Sequence, residues 1–138
     1  YKRQTHNNID FYDDYAHHPT EIKATTKALK NNTEGKLIVV FQPHRYTRTR
    51  DNFYDLSKSF KYSDKTIVTD IYSAGEKPIP GVSSLMFESE KIKYIKSPRM
   101  VPPYLKNKIF PGDTVLTIGA GDITLLGPQI LKYLNENK

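Results

Sequence analysis

The chain has 138 residues, of which 21 are basic and 15 acidic, giving a formal charge of +6, and this length suits one ordinary domain. It contains no cysteine, which excludes disulfides, thiolate nucleophiles and cysteine-bound metals. The sequence has no apolar run approaching the roughly 18 residues needed to cross a bilayer and no signal-peptide pattern at its start. We therefore expect a cytoplasmic protein without a membrane partner.

Strand-like apolar runs alternate with helix-periodic segments along the chain. In the first half they predict a strand at 9–12, a helix at 19–30 opened by Pro19, a strand at 36–42, a helix at 49–60 and a strand at 65–69. A loop at 70–81 is followed by a predicted helix at 82–91 and a strand at 94–96. The remainder is a proline-broken segment at 98–103, a helical turn at 104–108, a strand at 114–118 and a helix from about 123 onward.

This alternation predicts a single α/β domain, a Rossmann-like and mostly parallel sheet with helices on both faces. Residues 1–8 show no helical pattern and are interpreted as the remainder of an interdomain linker, with the domain itself spanning 9–138. Pro128 is expected to mark a kink or a late start of the last helix.

Polar loops follow four of the predicted strands, at the edge where the carboxyl ends of parallel strands meet. These loops are rich in ionisable groups or in glycine and cover 13–21, 42–49, 70–76 and 119–122. The helices that follow point their amino ends at the same edge, where free backbone N–H groups favour anions. The sequence therefore predicts an anion or nucleotide site at this edge.

The acidic and histidine pairs in the first loop also allow plainer interpretations. Asp13-Asp14 is typical of a helix cap. His17-His18 resembles part of a metal site, but adjacent histidines rarely reach one metal together, and no other ligand set has suitable spacing. We therefore predict no metal ligand in this chain.

Basic residues are compatible with a nucleic-acid partner, but the lysines are scattered as on a solvated surface, so none is predicted. The dense arginine cluster lies in the second loop, where Arg45 and Arg48 would share a face if their turn is helical. Guanidinium groups bind carboxylate and phosphate in a bidentate manner. Surface ion pairs are the alternative interpretation.

Gly119-Ala120-Gly121 resembles a dinucleotide fingerprint, but Thr124 stands where the third glycine is needed. A tight strand-to-helix turn is the simpler interpretation, with Asp122 suited to capping the last helix. The sequence has no G-x-x-x-x-G-K-[ST] motif, so no ATP phosphate loop is predicted, and it has no nucleophile elbow.

Taken together, the four loops resemble the signatures of the C-terminal domain of Mur ligases. The segments are DDYAHHPTEI at 13–22, FQPHRYTRT at 41–49, DIYSAGE at 70–76 with PIPG at 78–81, and GAGDI at 119–123. They occur in the family's order at similar spacing. The second segment favours the alanine-adding branch over the branch that recycles murein peptides.

This resemblance implies part of a three-domain enzyme of peptidoglycan synthesis, which joins the carboxylate of UDP-N-acetylmuramate to L-alanine through an acyl phosphate made from ATP. The N-terminal domain would bind the UDP-sugar, and the central domain would carry the ATP phosphate loop and the Mg²⁺ sites. These two domains are the expected partners of this chain, which would close on them and exclude water. The chain alone is expected to be inactive.

Residue roles also follow from the resemblance. Asp14 corresponds to the aspartate that receives the ribose hydroxyls of ATP. Arg3 corresponds to an arginine at the domain hinge that reaches ATP, although Gln4 stands where the family has an aromatic residue. Four residues correspond to the lining of the amino-acid and acyl-phosphate side: Tyr15, His17, Arg45 and Arg48. Positive charge there would stabilise a developing oxyanion.

Two other classes of function are compatible with the same loops. A stand-alone nucleotide- or anion-binding module should bind its ligand tightly without a partner domain. A nucleic-acid-binding domain should show strongly salt-dependent affinity for DNA or RNA.

Overall fold

The computed structural model describes residues 2–137, with side chains described for residues 4–137. Within that range the chain forms one six-stranded sheet with α-helices on both faces, which confirms the predicted α/β fold. The strands are β1 (Lys2–His6), β2 (Ile9–Asp14), β3 (Leu37–Phe41), β4 (Lys65–Val68), β5 (Ile92–Tyr94) and β6 (Thr114–Ile118). Their order across the sheet is β1-β2-β6-β3-β4-β5, and neighbouring strands are parallel except for β1 and β2.

The helices are α1 (Pro19–Asn31), α2 (Tyr46–Lys58), α3 (Val101–Leu105) and α4 (Leu126–Glu136). Because side chains alternate along a strand, β3 feeds two separate cores. Its Leu37, Val39 and Phe41 pack with α1 and α2, while its Ile38 and Val40 pack with α3 and α4. The continuous apolar run of β3 is thus explained by burial on both faces.

Helix boundaries differ from prediction mainly at the amino ends. α1 begins at Pro19 as predicted, but α2 begins at Tyr46, three residues before the predicted start at 49. The last helix begins at Leu126, after a 3-10 turn at Asp122–Leu125. Pro128 therefore lies in the first turn of α4 and marks a late start, where its missing N–H costs little.

β1 is an edge strand that was not predicted. Asn7 and Asn8 both have left-handed backbones, with φ of 49° and 62°, as in a two-residue type I′ hairpin turn. The hairpin places His6 opposite Ile9 and Lys2 opposite Asp13. Residues 2–6 are therefore part of the sheet, whereas the interpretation of 1–8 as the remainder of a linker between domains stays a prediction.

The helix predicted at 82–91 is wrong. Only Ser84–Phe87 form a 3-10 turn, in which the buried Ser84 hydroxyl donates to the Thr69 carbonyl oxygen at 2.5 Å. Phe87 enters the core, and Leu85 is left 57% exposed. The segment therefore lacks the continuous apolar face that a longer helix needs, because Phe87 is buried, Leu85 is exposed and Ser84 is hydrogen-bonded to the neighbouring loop.

After this turn the chain enters β5, two residues earlier than predicted. β5 is the edge of the sheet opposite β1. Two of its backbone N–H groups donate to side chains just before the strand: Ile92 to Ser89 Oγ at 3.2 Å and Tyr94 to Glu88 Oε2 at 3.0 Å.

None of the helices in residues 2–137 combines the length and apolarity needed to span a bilayer.

Candidate functional site at the carboxyl edge of the sheet

Four neighbouring strands, β2, β6, β3 and β4, end in the four predicted loops side by side. β6 lies between β2 and β3, and backbone hydrogen bonds continue past the strand ends. Gly119 N donates to Asp14 O at 3.0 Å, Gln42 N to Ile118 O at 3.0 Å, and Thr69 N to Phe41 O at 3.0 Å. The four loops predicted to form a site therefore do begin at one edge, which we call the carboxyl rim (13–21, 42–49, 70–76 and 119–122).

The glycine loop after β6 packs directly against the second and third loops. Gly119 has φ of 149°, and a Cβ there would lie 2.8 Å from the Gln42 carbonyl oxygen. A Cβ on Gly121 would lie 2.5 Å from Tyr72 Cγ. The glycines thus serve the close backbone approach that a strand-to-helix turn requires.

Gln42 holds this glycine loop in place. The buried Gln42 side chain donates from Nε2 to Asp122 Oδ1 at 2.7 Å and accepts at Oε1 from Ile123 N at 3.2 Å. The predicted capping role of Asp122 is therefore wrong, because its carboxylate accepts from Gln42 and the residue begins the 3-10 turn itself. Gln42 lies within the predicted 42–49 loop, but this supporting role was not predicted, because its partners lie about eighty positions away.

Asp14 lies at the end of β2, half-buried, with both carboxylate oxygens in hydrogen bonds. Oδ1 accepts from Ala16 N at 3.1 Å and Oδ2 from the Thr25 hydroxyl at 2.9 Å. Asp13 accepts from the Thr117 hydroxyl at 2.8 Å. The alternative that this pair caps α1 is wrong, because the residue preceding that helix is His18.

Aromatic rings from three of the rim loops and a guanidinium from α2 lie close together at the carboxyl rim. His17 lies 4.8 Å from His18 and 6.1 Å from His44, measured between ring centroids. His44 stacks on Tyr72 at 5.6 Å with an interplanar angle of 21°. Arg48 approaches His44 from α2, with Nη1 3.2 Å from Nδ1. We call His17, His44, Arg48 and Tyr72 the imidazole cluster.

The Arg48 contact fixes the protonation state of His44. A guanidinium carries only donors, so His44 Nδ1 must accept and the neutral ring carries its proton on Nε2. Burial lowers the pKa of His44 below 6.5, the charges of Arg48, Arg45 and His17 lower it further, and Glu76 opposes them. His44 is therefore neutral near pH 7 and adds no charge of its own to the site.

Arg45 lies in the loop before α2. It would share a face with Arg48 if their turn were helical, but α2 begins only at Tyr46, and Arg45 precedes it with φ of 71°. Arg45 N donates to Tyr72 O at 2.8 Å, and the side chain is exposed. Arg45 and Arg48 therefore approach the carboxyl rim from a loop and from a helix.

The amino end of α2 is occupied, contrary to the expectation of free N–H groups. Glu76 Oε1 accepts from Tyr46 N at 2.6 Å and Thr47 N at 3.1 Å, and Oε2 accepts from the Thr47 hydroxyl at 2.5 Å. The Thr47 hydroxyl and these amides hold the pKa of Glu76 below its usual value despite some desolvation. The residue lies within the 70–76 signature, but nothing in the sequence pointed to this long-range cap.

The remaining predicted residues are less constrained. Tyr15 projects from the first loop with 64% of its surface exposed, and its carbonyl oxygen lies 3.3 Å from His17 Nδ1. The Arg3 side chain lies outside the described part of the chain. Its backbone pairs with Tyr12 in the hairpin, near the carboxyl end of β2.

Metal-site geometry is not found among residues 2–137, in which no three His, Asp or Glu side chains form a group able to hold an ion. A groove of 710 Å³ opens between α1 and α2 and reaches the rim at residues 18–21, but its lining includes none of the predicted site residues.

Fold and rim define an α/β domain that presents guanidinium and imidazole groups at the carboxyl edge of a parallel sheet. The chain belongs to the Mur ligase family: the model described as "Mur ligase, glutamate ligase domain" matches residues 2–121. The UDP-N-acetylmuramate–L-alanine ligase of Desulforamulus reducens is 42% identical over 137 residues, covering 94% of this chain. The matched part is 30% of that relative, so the chain spans about a third of its length.

Solved structures agree with the fold. The UDP-N-acetylmuramate–alanine ligase of Thermotoga maritima superposes with a TM-score of 0.73 at 22% identity, covering 99% of this chain and 29% of that one. A crystallised domain of a UDP-N-acetylmuramate:L-alanyl-gamma-D-glutamyl-diaminopimelate ligase from Haemophilus ducreyi gives 0.70 at 23% identity, covering 95% of both chains. A domain of this fold can thus be crystallised by itself.

Proposed function

We propose that the chain is the C-terminal domain of a cytoplasmic UDP-N-acetylmuramate–L-alanine ligase, an ATP-dependent enzyme of peptidoglycan synthesis. The observation that carries the proposal is the gathering of Arg45, Arg48 and His17 at the carboxyl rim, on loops whose sequences resemble the family's signatures. The identity to the relative that bears this name supports the choice of substrate.

The rim residues would bind the carboxylate of L-alanine. The guanidinium of Arg48 has five N–H donors, of which the contact to His44 uses one. Arg45 brings a second guanidinium on an exposed side chain, and two such groups suit a carboxylate or a transferring phosphoryl group. Tyr15 and His17, on the adjoining loop, would contact the same group from the β2 side.

Asp14 would receive the ribose hydroxyls of ATP. Each carboxylate oxygen has two lone pairs, and the described hydrogen bonds use one on each oxygen. The carboxylate therefore keeps acceptor capacity for two vicinal hydroxyls. Arg3 would reach the nucleotide from β1. No residue of this chain is assigned to Mg²⁺, which we place, with the phosphate loop, in the central domain.

The reaction needs a second body on the rim. ATP would supply the phosphoryl group that activates the muramate carboxylate. Arg45 and Arg48 would hold the amino acid in reach of that carbonyl and stabilise the charge that develops on oxygen. Closure of this domain would exclude water from the activated carboxylate. The chain by itself is expected to be inactive.

A ligase that recycles murein peptides is the second candidate, because the Haemophilus ducreyi domain, named for a peptide substrate, matches nearly the whole chain. The two candidates differ in what the rim must accept, a single amino acid or a tripeptide. Assaying both substrates decides between them.

The test is a chimera in which this chain replaces the corresponding part of the Desulforamulus reducens ligase, assayed by alanine-dependent ADP release. Arg48→Ala and His17→Ala should each lower kcat/KM at least about tenfold, as expected for loss of a charged hydrogen bond. Lys132→Ala, on exposed α4 surface, is the matched control. A folded chimera that does not ligate alanine, or tight ATP binding by the chain alone, would contradict the proposal.

A further inference from the structure

Glu76 holds the part of the chain from which both rim arginines project. The first turn of α2 reads Tyr-Thr-Arg-Thr and has no acidic side chain to satisfy its own leading N–H groups. Glu76 reaches these groups from the third loop, about thirty residues further along, and bonds the Tyr46 amide, the Thr47 amide and the Thr47 hydroxyl. One carboxylate thereby fixes the start of α2.

A second set of contacts joins the same two loops on the other side of Arg45. Arg45 N donates to Tyr72 O at 2.8 Å, and Tyr72 N donates to Pro43 O at 2.8 Å. The Tyr72 ring supports His44, which in turn accepts from Arg48. Arg45 is therefore held between the Tyr72 backbone before the helix and the Glu76 carboxylate at its start.

The backbone at these contacts is unusual, which makes the support necessary. Arg45 has φ of 71°, and the turn that presents Glu76 contains Ala74 at φ 51° and Gly75 at φ 88°. Left-handed backbone at non-glycine residues persists only where the surroundings enforce it. Without the Glu76 cap, the 43–47 segment would relax toward ordinary backbone angles and carry the Arg45 side chain away from Arg48.

The negative charge of Glu76 also affects where an anionic ligand can bind. Glu76 is ionised near pH 7, because hydrogen bonds from Thr47 and Tyr46 and the charge of Arg45 lower its pKa. Its carboxylate occupies the amino end of α2, the position where an anionic ligand would otherwise bind. A ligand anion at the rim is therefore directed to the guanidinium groups of Arg45 and Arg48 instead of the helix end.

We infer that Glu76 is a positioning residue for the amino-acid carboxylate: it caps α2 and thereby sets the spacing and direction of Arg45 and Arg48. This inference rests on the proposed function and adds a residue that acts without touching the substrate.

The test uses Glu76→Ala and Glu76→Gln in the chimeric ligase, with Asp64→Asn as a matched control. Asp64 likewise accepts a backbone amide, Leu37 N at 2.8 Å, and a side-chain donor, Lys30 Nζ at 2.6 Å, but at the opposite edge of the sheet. Both acidic positions should therefore affect folding, and only Glu76 should affect the rim. Melting temperatures of all three variants show whether each is folded.

Glu76→Ala should raise KM for L-alanine about tenfold relative to Asp64→Asn, as expected when a charged hydrogen-bond network is lost, with Glu76→Gln in between. KM for ATP should stay unchanged, because Asp14 lies on another loop. A KM for L-alanine within about threefold of the control in both folded Glu76 variants would overturn the inference.

A second readout keeps this inference separate from the proposed function. In the 138-residue chain, the amide proton resonances of Tyr46 and Thr47 should shift as Glu76 titrates, and Glu76→Gln should abolish that shift. If the shift is seen but the wild-type chimera does not ligate alanine, the proposed function is wrong, while the cap formed by Glu76 is supported. If the chimera uses alanine and the amides do not respond, the inference about Glu76 fails alone.

Discussion

Replacement of Gly119, in the glycine loop of the rim, should lower the stability of the folded chain. Its φ of 149° lies where side chains are strained, and a Cβ would approach the Gln42 carbonyl oxygen to 2.8 Å and Ile123 Cγ2 to 3.0 Å. The first of these neighbours is the backbone directly after β3, which is hydrogen-bonded to Ile118 and cannot rotate away as a side chain can. Gly119→Ala must therefore strain the turn or displace β3 from β6.

The expected cost combines two effects. Forcing a non-glycine residue into a sparsely populated backbone region costs about 1–3 kcal/mol, and overpacking a rigid site costs about 1–3 kcal/mol. Taking about 3 kcal/mol as the total, and an unfolding entropy of about 0.29 kcal/mol/K for a chain of this length, the melting temperature should fall by about 10 °C.

Gly127→Ala is the matched control, since it makes the same chemical change inside α4, where a Cβ meets nothing within 4 Å. Gly127 lies in the first turn of α4, and alanine there should not destabilise the chain, because it restricts the unfolded backbone more than glycine does. Urea unfolding followed by circular dichroism measures both variants. The reasoning is refuted if Gly119→Ala loses less than about 1 kcal/mol, or if Gly127→Ala is the more damaging change.

Two further predictions concern Asp113, which precedes β6, and His44, which follows β3; the two residues therefore lie at opposite ends of the parallel strands. Asp113→Ala should cost about 2–4 kcal/mol, because the buried Asp113 carboxylate accepts from Lys36 N at 2.8 Å and Phe110 N at 2.9 Å and both amides would lose their acceptor; a urea midpoint close to that of the wild type would contradict this. The pKa of His44 should lie below 6.5. The stability that the neutral ring contributes is therefore fully present above pH 6.5 and is lost as the pH falls, because the unfolded chain binds the proton first. An imidazole NMR titration checks this, and Arg48→Ala should move the pKa of His44 upward, whereas an unchanged value would show that the contact does not form.

Sequence patterns identified the buried strands and, two residues late, the edge strand β5, but they missed the edge strand β1. The strands at 37–41 and 114–118 were predicted because a strand buried on both faces appears in the sequence as a largely apolar run. β1 reads Lys-Arg-Gln-Thr-His and has no such run, although the Asn7-Asn8 pair was a usable turn signal. The helix predicted at 82–91 was wrong because side-chain to backbone contacts in three dimensions, such as that of Ser84, decided the local structure.

The rim was predictable in the same uneven way. Loop positions followed from strand direction alone, so the placement of the four loops at one edge could be foreseen. The cap from Glu76 and the support from Gln42 could not, because each depends on a pairing between segments far apart in the chain. The neutral state of His44 could not either, because it depends first on burial of the ring and then on the charges around it. Arg45 was correctly placed in the loop before α2, but its backbone φ of 71° could not be predicted from the sequence.

The outer edge of β5 bears on how this sheet meets other chains. A strand at the edge of a sheet is normally a template, since its outward N–H groups can pair with any extended peptide. Here the amides of Ile92 and Tyr94 already donate to Ser89 and Glu88. An incoming strand would have to displace a hydroxyl and a carboxylate, and would bring its own carbonyl groups close to a negative charge. Growth of the sheet into fibres or side-by-side dimers is therefore opposed along β5, because its outward N–H groups are already hydrogen-bonded.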